Sequence, residues 1–303
     1  MQMRTSKKVS ISTLKTSYLI VTIVFITIII WRNFSDIKTA IKHVENLTPS
    51  ILMTSLILTL SSYASRSLRW FGYMRLKGRS TPFLTHCLIY LSGFAFTASP
   101  GKAGELMRAV YLNKLDIPFR FTFSSFVSER LLDVLAVSCL SSYFVYQIFH
   151  ERLLALTLPI ALILGSFCIQ LVLNWLYTVK KLAYFNYIEE LWTTVLLSKS
   201  WGLSILAWIF QGFILYLLLN ELKADISPFL AISIYCLSLL IGAASLLPGG
   251  IGATEIGMIW LLTMVNIDND IALIASVVTR ALTLWPAMAL GLISSSILQK
   301  RGL

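Results

Sequence analysis

Charge is what this sequence has least of. Asp, Glu, Lys and Arg together make up 13% of its 303 residues, about half the 25% of an ordinary soluble domain. With 57% hydrophobic residues and a mean hydropathy of +0.78, that shortage excludes a soluble globular protein. About 173 residues are apolar. At roughly 20 per crossing they allow at most about eight membrane spans and leave almost nothing for a soluble domain. Histidine is scarce too, and His43, His86 and His150 have no second ligand at i+3 or i+4. That excludes a zinc pattern, so neither a metal nor another cofactor is expected. The four cysteines, Cys87, Cys139, Cys168 and Cys236, sit inside apolar runs. They read as buried thiols rather than disulfide partners or ligands. The first apolar run ends at Ile30-Trp31-Arg32 without a small-residue cleavage site, so it reads as a retained helix. No polar stripe at helical spacing is expected in any long segment, which counts against an ion channel. Acidic residues are fewer than basic ones, 14 against 25, for a net charge of +11. In a membrane protein this excess records topology, and no nucleic-acid partner is expected.

What is present in quantity is apolar sequence, at roughly 16–31, 49–70, 83–98, 105–113, 122–149, 153–178, 201–222, 228–247, 254–265 and 271–298. Two pairs of short segments are interrupted by Pro and Gly. Ser99-Pro100-Gly101-Lys102-Ala103-Gly104 divides the first pair, and Leu247-Pro248-Gly249-Gly250-Ile251-Gly252-Ala253 divides the second. Such density stops a helix. Yet no polar loop surrounds either break, which is the pattern of a re-entrant hairpin ending inside the bilayer. Pro100-Gly101-x-x-Gly104-Glu105 matches Pro248-Gly249-x-x-Gly252-x-x-Glu255, with a constant offset of 148 through Pro and Gly. Each half then places one Arg near the start of a long apolar helix, Arg130 and Arg280. The chain reads as an internal duplication, and paired interrupted segments point to a transport site.

If each hairpin returns to its own side, the crossings are 16–31, 49–70, 122–149, 153–178, 201–222 and 271–298. With both termini cytoplasmic, 14 basic residues fall inside and five outside, as the positive-inside rule requires. The hairpins then enter from opposite faces, and the halves are inverted repeats. The expected fold is an all-α, multi-pass helical bundle in the cytoplasmic or inner membrane of the cell. It is a single transmembrane domain over 1–303, with repeat A at about 49–149, a linker helix at about 153–178 and repeat B at about 201–298.

Charges inside apolar segments each need a reason, because Arg or Asp at mid-membrane costs roughly 2.5–3.5 kcal/mol. Arg66 and Arg69 share a helix face ahead of Trp70. By themselves they read as cations snorkelling to the cytoplasmic interface. Glu105 and Arg108 share a face just after the first hairpin tip. Glu129, Arg130 and Asp133 form a compact cluster that reads structurally as a neutralised ion-pair network stapling hairpin to helix. Glu255 and Arg280 lack a sequence neighbour of opposite charge, so that reading is weaker for them. A helix starting after Pro-Gly offers free N–H groups and a positive dipole end to a phosphate, and Arg adds bidentate donors. Gly101-Lys102 lacks the P-loop pattern. Asp268-Asn269-Asp270 reads as a turn and cap, with a metal-holding D-x-D as the enzymatic alternative. Asn46-Leu47-Thr48 is a glycosylation triplet of a kind frequent by chance.

The stretches Ser99–Ala109, Ser128-Glu129-Arg130-Leu131-Leu132-Asp133 and Leu247–Glu255, with Arg66-Ser67-Leu68-Arg69-Trp70, resemble the flippase-like transmembrane domain of lysylphosphatidylglycerol synthases and its stand-alone relatives. The likeness covers nearly the whole chain. It implies movement of a phospholipid or polyprenyl-phosphate-linked headgroup between leaflets, beside enzymes that modify envelope glycans or lipids. It also implies that Arg66, Arg69, Glu105, Arg108, Glu129, Arg130, Asp133, Glu255 and Arg280 line a headgroup cavity, framed by Pro100, Gly101, Gly104, Pro248, Gly249, Gly250 and Gly252. No aminoacyl-transferase domain follows Leu303 in this sequence, so synthesis of lysyl lipids is not expected. The expected function is lipid translocation, with Arg108, Arg130 and Arg280 on the phosphate and Glu105 and Glu255 on the rest of the headgroup. The alternatives are a membrane glycosyltransferase using a polyprenyl-phosphate sugar donor, with Asp268 and Asp270 essential, and a non-catalytic scaffold of an envelope-synthesis complex.

Overall fold

The computed structural model describes residues 47–77, 81–97, 100–149, 152–180 and 186–303. The expected first crossing at 16–31 and Asn46 lie outside them. Among the described residues the chain is predominantly helical, without a strand. The α-helices are α1 (Pro49–Met74), α2 (Phe83–Ser92), α3 (Arg108–Asn113), α4 (Phe119–Phe149) and α5 (Arg152–Lys180). They continue with α6 (Asn186–Leu191), α7 (Thr194–Glu221), α8 (Pro228–Ala244), α9 (Ala253–Met264) and α10 (Asn269–Lys300). Short 3₁₀ segments fill Gly93–Phe96, Pro100–Met107 and Pro248–Gly250.

Local sequence sets the helix ends. Pro49 and Pro228 occupy first-turn positions, where the missing N–H costs nothing. Ser227 accepts a hydrogen bond from the Leu230 N–H at 3.3 Å, an ordinary N-cap. Four helices end in the same way, with Asp116, Lys223, Asn266 and Gly302 at positive φ. The following N–H then reaches back five residues, as from Ile117 to the Leu112 carbonyl and from Ile267 to the Leu262 carbonyl. This closure satisfies carbonyls that the helix leaves open.

The molecule is an all-α integral membrane protein. Phe119–Ile148, Thr194–Glu221 and Asn269–Lys300 are long and apolar enough to cross a bilayer. The expected crossings at 49–70 and 153–178 also coincide with single long helices, α1 and α5. Helix α1 is inverted relative to a soluble helix. Met53, Ile57 and Leu60 are exposed, whereas Ser55, Thr59, Ser62, Arg66 and Arg69 are buried. Their alternating four- and three-residue spacing is a polar stripe on one helix face, so the expectation that no such stripe exists is corrected. Lipid accepts the greasy face, and the protein interior must satisfy the polar one.

Helices α1 and α7 form the central pair and run antiparallel. Thr48 N–H donates to Glu221 Oε1 at one end, and Gly72 lies against Leu196 at the other. Hairpin A consists of α2 with its 3₁₀ extension, returning through Pro100–Asn113. Hairpin B consists of α8 and α9 joined at Pro248–Gly250. The Pro100–Met107 segment packs against Pro248–Gly250, so the two tips meet. Each half also packs on the other's hairpin: α4 lies along α8, and α10 lies along α2. Pro286 cannot donate to the Leu282 carbonyl. Thr59 on α1 supplies that donor at 3.0 Å, and Tyr63 OH donates to the Thr283 carbonyl at 2.6 Å. The α1 stripe thus caps the break in α10.

Gly291 brings α10 directly onto hairpin A, where an added Cβ would overlap the Ala95 nitrogen and Phe94 carbonyl carbon. Gly291→Ala is expected to cost about 1–3 kcal/mol by overpacking against backbone that cannot yield. Gly202→Ala, with open space at its Cβ, should be neutral or slightly stabilising. Thermal unfolding of both variants in detergent checks the contrast.

Candidate functional site

The charged residues singled out by sequence lie on α1, hairpin A, α4, hairpin B and α10, and the fold gathers them around the tip contact. Six form one alternating chain. Glu105 lies 3.7 Å from Arg130, and Arg130 lies 3.1 Å from Asp133. Asp133 then accepts from Arg69 at 2.7 Å, Arg69 lies 3.7 Å from Glu129, and Glu129 takes a short ion pair from Arg108. Three acids and three bases sum to zero, as burial demands. Ser204 accepts a hydrogen bond from Arg69, and Trp208 Nε1 donates to Asp133 at 3.3 Å. The Arg108 guanidinium lies 4.0 Å from the centre of the Trp70 ring, a cation–π contact in a desolvated setting.

The snorkelling reading of Arg66 and Arg69 is therefore corrected. Arg66 is 5% exposed and Arg69 1%. Both point inward because α1 carries its polar stripe on the packed face. Two of the 14 basic residues attributed to cytoplasmic loops thus belong to the interior.

Glu255 and Arg280, for which the ion-pair reading is the weaker one because neither has an oppositely charged neighbour in sequence, hold each other across the fold. Arg280 Nε donates to Glu255 Oε1 at 3.0 Å, and its Nη2 donates to the Gly249 carbonyl at 2.9 Å. Glu255 and Arg280 are separated by 25 residues, and Glu105 and Arg130 have the same spacing. Each hairpin glutamate thus meets the arginine of the long helix that follows it.

The structure alters the helix-dipole reading at both tips. Beyond Gly104 the chain stays 3₁₀ to Met107, and α3 begins only at Arg108 with six residues. A short, tight segment of this kind provides little aligned dipole. At tip B a true helix follows, but Glu255 Oε2 accepts the Gly252 N–H at 2.7 Å. This is a capping-box contact that puts a carboxylate where an anion would sit. Gly249, Gly250 and Gly252 all have positive φ, which explains the glycine density of that turn. Gly242 leaves the space into which Thr254 Oγ1 fits, so the two arms of hairpin B touch.

Between the tips lies a cavity of about 290 Å³ that both Arg130 and Arg280 line, with Asp133, Thr97 and Trp208. Its remaining wall is largely apolar, including Val134, Val137, Leu239, Leu240 and Leu284. A smaller recess of about 40 Å³ adjoins it through Thr97, Trp208, Leu239 and Arg280, and contains Arg66, Glu105, Gln211 and Tyr235. Of the nine sequence candidates, Arg66, Glu105, Arg130, Asp133 and Arg280 therefore face a cavity. Arg69, Arg108 and Glu129 stand behind them in the ion chain, and Glu255 stands behind Arg280. Asp268 and Asp270 are exposed at the start of α10 and line neither cavity. Among the described residues no cluster of His, Cys, Asp or Glu could hold a metal. The four cysteines are free, and Cys168 is exposed rather than buried.

A model described as the lysylphosphatidylglycerol synthase TM region matches residues 17–291. The chain belongs to this family. Similar proteins include a UPF0104 membrane protein of Methanocaldococcus jannaschii, 27% identical, with 94% of this chain and 95% of the relative covered. A UPF0104 membrane protein of Methanothermobacter thermautotrophicus is 26% identical, with 90% of each chain covered. Within this member of the family, sequence reasoning missed the neutral side chains of the site. Gln211 accepts from Arg66 Nη2 and from Tyr235 OH, each at 3.1 Å, and Trp208 lies under the Arg66 guanidinium at 4.0 Å. The available signal was Gln211 itself, an amide in the middle of a 28-residue helix of mean hydropathy 2.0.

Removing one member of the buried chain leaves its neighbour uncompensated. Glu129→Gln and Asp133→Asn are each expected to lose about 3–5 kcal/mol. Lys77→Ala, which breaks the partly exposed pair to Glu190, should change stability by less than about 1 kcal/mol. Denaturation midpoints of the three variants test the ranking.

Proposed function

We propose that the protein is a lipid translocase and that the chamber between the hairpin tips receives the phosphate-bearing headgroup of a membrane lipid. The supporting observation is the composition of that chamber. Arg130 and Arg280, from the two halves of the chain, face it together, while most of its wall is apolar. Arginine is the preferred side chain for phosphate because its fork matches the oxygens. A bare inorganic anion would gain nothing from Val134, Leu239 and Leu284, whereas an amphiphile would. The family, described as the lysylphosphatidylglycerol synthase TM region, points the same way. The substrate class is a phospholipid or a polyprenyl-phosphate-linked lipid.

Movement would come from repeat A and repeat B, read as inverted halves related by a two-fold axis in the membrane plane. The antiparallel α1–α7 pair, the reciprocal packing of α4 on α8 and α10 on α2, and the matching Glu–Arg pairs support that symmetry. Inverted repeats whose broken segments meet at a central site alternate access by rocking one half against the other. Both hairpins would end within the bilayer, shielded by the helices around them.

Arg280→Gln keeps a donor for the Gly249 carbonyl but removes the charge. In vesicles carrying headgroup-labelled phospholipid, it should slow translocation by about tenfold or more, the loss expected for one charge-assisted hydrogen bond. Asp270→Asn should translocate like the unaltered protein. Normal translocation by a folded Arg280→Gln variant would overturn the site assignment, and loss of translocation in Asp270→Asn would favour the transferase alternative.

A further inference from the structure

We propose that Arg66 is the anion anchor of this site and that it selects lipids whose phosphate is a diester carrying one negative charge. The inference rests on the reading of the chamber as a headgroup site and specifies its chemistry. It begins with a charge count. The cluster holds five arginines, Arg66, Arg69, Arg108, Arg130 and Arg280, and four carboxylates, Glu105, Glu129, Asp133 and Glu255. Four of the arginines lie within 3.7 Å of a carboxylate oxygen. Among the described residues, none lies within salt-bridge distance of Arg66. The surplus positive charge of the cluster therefore sits on Arg66.

The surroundings of Arg66 give that charge no direct ion-pair partner among the described residues. It is 5% exposed and stacked on Trp208. Among the described residues its one hydrogen bond goes to a neutral amide oxygen, which also accepts from Tyr235. Its Nε has no partner, and neither does the buried Thr97 Oγ1 in the same recess. A buried cation with an idle donor is costly, and a ligand anion in that recess would satisfy both donors. The recess of about 40 Å³ has room for roughly three or four water-sized oxygens, the size of one phosphate group. It opens beside the apolar chamber, so the phosphate would sit at Arg66 while the lipid's apolar part runs past Leu239 and Leu284.

One surplus charge matches one ligand charge. A phosphodiester carries a single negative charge, whereas a phosphomonoester at pH 7 carries about 1.5 to 2. Glu105 lines the same recess and would repel a monoester more strongly than a diester, because the repulsion grows with ligand charge. Glycerophospholipids with an esterified headgroup and isoprenyl monophosphosugars both present a diester, so the shared chemistry is the single-charge phosphate.

The test measures ligand-dependent thermal stabilisation of the full chain in detergent, where tighter binding raises the midpoint. The probes are dihexanoyl phosphatidylglycerol, dihexanoyl phosphatidic acid and citronellyl phosphoglucose. At least one diester should bind about tenfold more tightly than the monoester. Arg66→Gln should abolish that preference and weaken the diester about tenfold or more, Arg66→Lys should retain the preference, and Thr97→Val should weaken the diester severalfold. Binding of the glycerol diester alone identifies a phospholipid source, and binding of the isoprenyl diester alone identifies a polyprenyl one. A monoester that binds as tightly as either diester overturns the proposal, as does diester binding by Arg66→Gln equal to the unaltered protein. Should Arg66→Gln not fold, unaltered diester binding by Thr97→Val overturns it. Translocation assays on the same preparations separate the two readings. Arg66-dependent binding without translocation removes the translocase and keeps the subsite, while translocation unaffected in Arg66→Gln removes the subsite and keeps the translocase.

Discussion

The alternating chain Glu105–Arg130–Asp133–Arg69–Glu129–Arg108 fixes the rest of the site. It joins α1, the returning arm of hairpin A and α4 through five ion-pair contacts, in an interior where each isolated charge would be prohibitively expensive. Its members are mutually obligatory. Arg69 cannot be buried without Asp133, Asp133 cannot be buried without its two arginines, and the short return of hairpin A is held by Arg108 against Glu129. What the chain gains is position rather than net stability. Replacing a buried ion pair by apolar side chains is often neutral or favourable, so a six-member network is better explained by the geometry it imposes. That geometry leaves Arg130 partly exposed at the cavity while Arg69, Glu129 and Arg108 are sealed behind it.

The second half reaches a similar geometry with fewer charges. Glu255 and Arg280 repeat Glu105 and Arg130 at an offset of 150 residues, but Glu129 and Asp133 have threonines, Thr279 and Thr283, at that offset. Arg280 therefore holds one carboxylate and one backbone carbonyl, and tip B relies on glycine backbone for its shape. The asymmetry follows from residue type. A threonine hydroxyl can bond within its own helix, as Thr283 does to the Thr279 carbonyl at 2.8 Å, whereas a carboxylate must find a cation. Half A is cross-linked to its neighbours, and half B is joined to its own turn.

This division also explains what could be read from sequence. Glu129, Arg130 and Asp133 were legible because their spacing places them together on one helix, as was the Glu–Arg content of each half. The long helices were legible from their apolar runs, and the tip B turn from its glycines. Arg69 and Arg108 were not assignable to partners, because Arg69 meets Asp133 from 64 residues away and only tertiary packing brings them together. The inward orientation of α1 was misread because its apolar residues draw attention, although they face lipid and its serines and threonines face the core. Gln211, Trp208 and Tyr235 were missed because neutral side chains in an apolar helix carry no charge signal. The 3₁₀ course after Gly104 was hidden because Pro and Gly mark a break without specifying how the chain resumes.

The same packing decides where an anion can be held. At tip B the helix N-terminus is already occupied by Glu255, and at tip A no regular helix begins until Arg108. Backbone dipoles, the first expectation for a phosphate site at a Pro-Gly break, are thus unavailable at both tips. On the proposed reading recognition falls instead to side chains, where Arg130 and Arg280 share their charge with carboxylates and Arg66 has none within salt-bridge distance among the described residues. The charge excess that first marked the sequence as basic resolves into loop residues that orient the chain, internally balanced pairs that hold the hairpins, and one buried guanidinium that no carboxylate among the described residues pairs. Among the described residues the other four arginines of the cluster each have a carboxylate, and the proposed ligand phosphate would give the fifth its counter-charge.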